Sequence, residues 1–141
     1  MKSILYKNGI FLDKDKIIYF YEGLYLLENK KIEVYNDQGK KLDINYFLKD
    51  EKIGLYYHFY KLFRDKNYIV STGLKFGGVF RIYENINEHS KWIGIPIKDK
   101  EKIDTYDFLS KNRVAHSTRK NILYCIKKDK DIFLEVKWRK L

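Results

Sequence analysis

The chain has 141 residues, 45% of them hydrophobic, and a net charge of +10, enough apolar material for one compact domain or two small abutting ones. One cysteine, Cys125, excludes an internal disulfide, no Cys/His group has zinc-ligand spacing, and no apolar run approaches the ~18 residues that span a bilayer. The N-terminus has no apolar stretch ahead of a small-residue cleavage site, so a cytoplasmic protein is expected, with no membrane association and with chemistry drawn from ordinary side chains.

In chain order, Ile4 to Leu12 read as a hairpin around Asn8-Gly9, a dipeptide that tolerates positive φ at both turn positions. Phe20, Leu24 and Leu27 recur at helical spacing within a helix predicted over Tyr19 to Asn29. Lys31 to Tyr35 is a predicted strand, Asn36 to Lys40 a turn, and Asp43 the N-cap of the next helix. A further helix over Ile53 to Lys66 groups Leu55, Phe59, Leu62 and Phe63 on one face, and the domain boundary is set just before it. Val79 to Tyr83 alternates, Phe80 and Ile82 against Arg81 and Tyr83, and Ile93, Ile95 and Ile97 repeat the period. A short helix follows at Asp104 to Lys111, then extended segments at Arg113 to Ser117, Asn121 to Ile126 and Ile132 to Trp138. The expectation is an α/β chain: a small mixed N-terminal domain (1–52) and a C-terminal domain (53–141) with a central sheet flanked by helices.

Charge is distributed unevenly. Residues 1–52 hold ten Lys against nine Asp/Glu, whereas residues 53–141 hold nineteen Lys/Arg against ten, including all five arginines. Codon bias would act on both halves alike, so the excess points to a surface for a polyanion, RNA or DNA first, with a solvated basic face as the alternative. Of the three histidines, His58 lies among helical aromatics and His116 in an expected strand, both suited to structural use. His89 follows the polar loop Glu84-Asn85-Ile86-Asn87-Glu88 between two strands, the kind of framed loop where reactive groups concentrate.

Three segments carry a resemblance. Ser71-Thr72-Gly73-Leu74-Lys75-Phe76-Gly77-Gly78-Val79-Phe80-Arg81-Ile82-Tyr83, then His89-Ser90-Lys91, then Arg113-Val114-Ala115-His116-Ser117-Thr118-Arg119-Lys120, are similar in order and spacing to the signature blocks of archaeal tRNA-splicing endonucleases. Upstream, Glu22 to Glu28 followed by Lys31 to Val34 resembles the helix-strand unit of that family's N-terminal domain. The resemblance implies catalytic roles for Tyr83 as base, His89 as acid and Lys120 as the cation beside the phosphorane, with no metal or cofactor. A free tyrosine titrates near ~10 and is a weak base unless a cation lowers that value; Lys120 is the candidate. The implied products are a 2′,3′-cyclic phosphate and a 5′-hydroxyl, and the implied substrate is precursor tRNA at a bulge-helix-bulge.

The resemblance also implies two arginines that sandwich a bulge base, assigned here to Arg113 and Arg139. The chain departs from the family pattern at Val79, where relatives carry an Asp, in the five residues between Tyr83 and His89, and in the short N-terminal domain. The turn Lys127-Lys128-Asp129-Lys130-Asp131 stands where the family has an acidic loop that enters a basic cleft of the opposite subunit. Its three lysines outnumber its two carboxylates, so a tetramer with a second, structural subunit is expected, a homotetramer being the alternative. The rival function is a non-catalytic RNA-binding subunit of the same complex; a basic protein unrelated to RNA is the third reading.

Overall fold

The computed structural model describes residues 1–84 and 91–141, and its packing forms two compact units, Met1–Tyr57 and His58–Leu141. In the first, strands β1 (Lys2–Lys7), β2 (Ile10–Asp13) and β3 (Lys16–Ile18) form a meander, followed by α1 (Phe20–Glu28), β4 (Ile32–Asn36), β5 (Lys41–Leu42) and α2 (Ile44–Leu48). The sheet order is β3-β2-β1-β4-β5, with β1 and β4 parallel. Asn8 and Gly9 take φ of 54° and 77°, the turn that their sequence favours. Asp43 caps α2, its carboxylate accepting from the Tyr46 amide at 3.0 Å. Ile4, Phe11, Leu24, Val34 and Phe47 close this core, and a side chain at Gly23 would strike the Phe11 ring, so α1 packs here only with glycine.

Helix α3 (Glu51–Asp65) runs across the division. The second unit continues with β6 (Ile69–Thr72), a 3-10 turn (Leu74–Phe76), β7 (Phe80–Tyr83), β8 (Trp92–Lys98), α4 (Thr105–Ser117), β9 (Asn121–Lys127) and β10 (Asp131–Val136). Its sheet has the order β10-β9-β8-β7-β6. Among the described residues of this sheet only β8 and β9 pair in parallel, and α4 is the crossover that a parallel pair requires. Alternation along the strands separates two apolar faces. Tyr60 and Phe63 of α3 meet Phe80 and Phe133 on one side, ring centroids 5.8 Å apart in each pair. On the other, Ile93, Ile95, Ile122 and Tyr124 pack with Ala115 and Phe108 of α4. The chain is therefore mixed α/β, as its patterning predicts. No helix among the described residues is long and apolar enough to cross a membrane.

Several elements differ from expectation: β3, β5 and β6 are strands that the patterning did not mark, and one expected strand is helical. Arg113 to Ser117 is not a strand but the end of α4, which starts at the Asp104 cap and continues past Lys111 to Ser117. His116 accordingly sits on a helix.

Candidate active site

Strand register brings two of the three expected catalytic residues into one row. Ile82 of β7 pairs with Trp92 of β8, and Trp92 pairs with Asn121 of β9. One position further out on these strands stand Tyr83, Lys91 and Lys120. The Lys91 amide donates to the Ile82 carbonyl at 2.8 Å, and the Asn121 amide to the Lys91 carbonyl at 3.3 Å, so the row continues the ladder. With strands spaced ~4.8 Å, the Tyr83 and Lys120 backbones are about 10 Å apart, a gap two long side chains can close upon a shared group. His89 lies outside the described residues; in sequence it is two positions before Lys91.

The end of α4 sets the position of Lys120. The Arg119 amide donates to the His116 carbonyl at 3.0 Å and the Lys120 amide to the Ala115 carbonyl at 2.8 Å, with Arg119 at φ 61°. These two bonds and the left-handed residue between them form a Schellman motif, which turns the chain from helix into β9. Ala115 is buried against Ile93 and Ile122, so the helix end is anchored in the core. The Lys120 ammonium, half-buried, donates to the Thr118 carbonyl at 3.1 Å. Burial first, and the nearby Arg81 cation second, hold its pKa below the ordinary lysine range. Arg81 stands two residues before Tyr83 on the same face of β7, its Nε donating to the Thr72 carbonyl at 3.0 Å. The alternation of β7 placed Arg81 beside Tyr83 in the sequence, but assigned it no role.

Arg113 is exposed on α4, one turn before His116. The His116 ring stacks on Trp138 with centroids 5.4 Å apart and planes 25° from parallel, and Arg139 is the next residue. The two arginines expected to hold a base neighbour this stack in sequence, Arg113 one helical turn before His116 and Arg139 next to Trp138. His58 is occupied otherwise, its Nε2 2.9 Å from both carboxylate oxygens of Asp131 at the start of β10. Burial pushes the Cys125 thiol up to about 12, which leaves it a packing residue rather than a nucleophile.

A central sheet between two helices carries a tyrosine and a lysine in one row at its end. Residues 53–134 match the tRNA intron endonuclease catalytic C-terminal domain, and residues 2–48 match the tRNA intron endonuclease N-terminal domain. The chain belongs to the tRNA intron endonuclease family. It is 43% identical to the tRNA-splicing endonuclease of Nanoarchaeum equitans, across 99% of both chains. It is 36% identical to that of Pyrococcus abyssi, covering 84% of this chain and 74% of the other, and 35% identical to that of Sulfolobus acidocaldarius, covering 92% and 77%.

Proposed function

We propose that this chain is a catalytic subunit of a tRNA-splicing endonuclease, which cleaves precursor tRNA at a bulge-helix-bulge without a metal ion. Tyr83, acting as its phenolate, accepts the proton of the 2′-hydroxyl as that oxygen bonds to phosphorus. The bond from phosphorus to the 5′-oxygen then breaks, and His89, acting as its imidazolium, protonates the leaving oxygen. Lys120 stabilises the charge that grows on the phosphorane oxygens. A 2′,3′-cyclic phosphate and a 5′-hydroxyl remain, and every proton is accounted for by a side chain. The shared row of Tyr83 and Lys120 carries this reading.

Arg113 and Arg139 hold a splayed bulge base in the same account, the stacked His116 and Trp138 being the support for that assignment. The working division is an N-terminal domain over 1–52 and a catalytic domain over 53–141, in a cytoplasmic enzyme.

The assembly is a tetramer with a second, structural subunit. β10 is an edge strand whose Ile132, Phe133 and Leu134 are each more than a third exposed, the type of strand that another chain covers. In the turn before it, Asp131 is held by His58 and Lys128 pairs with Asp99 at 3.5 Å, so Asp129 is the carboxylate left for a partner cleft. Replacing His89 with Ala tests the mechanism: single-turnover cleavage falls by about 10²–10⁴-fold while RNA affinity holds. Full activity of that variant would remove His89 from the mechanism.

A further inference from the structure

Behind the Tyr83 row, four side chains form one connected group: Glu84, Lys91, Trp92 and Glu135. Lys91 occupies the middle of the row, its amide donating to the Ile82 carbonyl at 2.8 Å and its carbonyl accepting from the Asn121 amide at 3.3 Å. Its ammonium reaches the Glu84 carboxylate at 3.2 Å, and Glu84 is the residue after Tyr83. The same ammonium lies 4.7 Å from the centre of the Trp92 ring. One lysine thus clasps the end of β7 to β8, just beyond the paired residues Ile82 and Trp92. Trp92 is itself fixed on two sides: its indole N–H donates to a Glu135 carboxylate oxygen at 2.5 Å, and its ring meets Tyr68 with centroids 5.8 Å apart. Glu135 belongs to β10, where it pairs with Leu123, whereas Trp92 pairs with Asn121, so this bond passes over β9. The group therefore ties β7, β8 and β10 together across the strand that starts immediately after Lys120.

We propose that Lys91, Trp92 and Glu135, with Glu84, are positioning residues of the cleavage reaction, which set the separation of Tyr83 and Lys120 from behind the row. The proposal rests on the endonuclease reading and adds residues that act through the groups it names. Among the described residues their side-chain contacts are with one another, with Tyr68 and, from Glu135, with Lys137 at 3.7 Å. They act through the backbone they hold. Tyr83 is the last residue of β7 and Lys120 the one before β9, so both stand where strand pairing ends and a chain frays most easily. A misplacement of ~1 Å between reacting groups costs about 10²-fold in rate. The Lys91–Glu84 pair is half exposed, 52% and 53%, and adds little to stability, so what it contributes is geometry.

The test uses the full chain, with any partner subunit it requires. Single-turnover cleavage of a bulge-helix-bulge RNA is compared with affinity for the same RNA carrying a 2′-deoxy sugar at the cleavage point. Trp92→Phe, which keeps a ring but loses the N–H donor, is expected to cleave about 10–100-fold more slowly at unchanged affinity. Glu135→Leu falls similarly, while Glu135→Gln, still able to accept the indole N–H, keeps most of the rate. Glu84→Gln and Lys91→Gln each slow cleavage with Tm within about 2 °C of wild type. Their double variant is no slower than the slower single one, because both changes open the same clasp. A purely structural role would instead lower Tm and leave the rate per folded chain unchanged. Wild-type rates in Glu84→Gln and Lys91→Gln, both exposed positions that decide the matter even if Trp92→Phe does not fold, overturn the proposal. A rate loss matched by an equal loss of affinity overturns it too, since that marks an RNA contact. Wild-type cleavage separates the two ideas: a cleaving wild type matched by these variants defeats the positioning alone, and a wild type that neither binds nor cleaves defeats both.

Discussion

The backbone amide of Lys120 closes helix α4 on the carbonyl of Ala115 at 2.8 Å, so the bond that ends the helix also delivers this lysine to the Tyr83 row. The residue between, Arg119, holds φ at 61°, a conformation that costs an L-residue roughly 1–2 kcal/mol. Arg119→Gly is expected to leave stability unchanged or raise it by up to about 1 kcal/mol, because the relief is partly offset by a freer unfolded chain. Arg119→Val, branched at Cβ, loses about 1–2 kcal/mol and displaces Lys120. Urea unfolding of both variants checks this. A Gly variant less stable than the Val variant would mean that the arginine side chain, not the backbone, sets the turn.

The glycine before the 3-10 turn is predicted to be irreplaceable for a different reason. A Cβ on Gly73 would lie 2.8 Å from the Phe80 carbonyl carbon and oxygen and 2.9 Å from its nitrogen. Those atoms belong to the start of the strand that ends at Tyr83, and backbone cannot step aside as a side chain can. Gly73→Ala is expected to lose about 2–3 kcal/mol, a fall in Tm of about 4–10 °C for a chain of this size. Calorimetry decides it; a Tm within 2 °C of wild type, roughly the margin of a 1 kcal/mol change, would show that the contact relaxes freely.

These two positions mark what the sequence reveals and what it conceals. Hairpin, caps and central strands were legible because each is written in a local pattern: Asn8-Gly9 in the turn, Asp43 at the helix start, Ile93 and Ile95 on alternate positions. The end of α4 was not. Its inward stripe is thin, a half-buried Phe108 and a buried Ala115 with Asn112 between them, and a buried asparagine hides the helical period. That asparagine is satisfied locally, Nδ2 donating to the Phe108 carbonyl at 2.9 Å, which no apolar pattern reports. Read alone, Arg113-Val114-Ala115-His116-Ser117 looks extended. Register across three strands likewise concealed the approach of Arg81 to Lys120.

The depressed pKa of Lys120 makes opposite predictions for stability and for cleavage. Below the native value the lysine is protonated in both native and unfolded chains, and the cost of its buried charge is fully present. Between that value and the ordinary lysine range the unfolded chain holds more proton, so stability contributed by this group rises with pH. Cleavage in the same window loses its cation, giving an alkaline fall in rate that begins below the ordinary lysine range. Lys120→Arg retains charge throughout and is expected to remove that limb from the residual activity. Rate profiles across pH 7–10.5, a span of about three units up to the ordinary lysine value, test it; an identical alkaline limb in Lys120→Arg would assign the limb to another group.

The central claim is that Tyr83, His89 and Lys120 suffice for the chemistry of strand scission. The most direct measurement is end-group analysis of a bulge-helix-bulge RNA incubated in EDTA with the purified chain, alone and with a structural partner subunit. The account predicts cleavage in EDTA with 2′,3′-cyclic phosphate and 5′-hydroxyl ends, lost in Lys120→Ala. Ends bearing a 5′-phosphate, or cleavage abolished by EDTA and restored by a divalent cation, would contradict it.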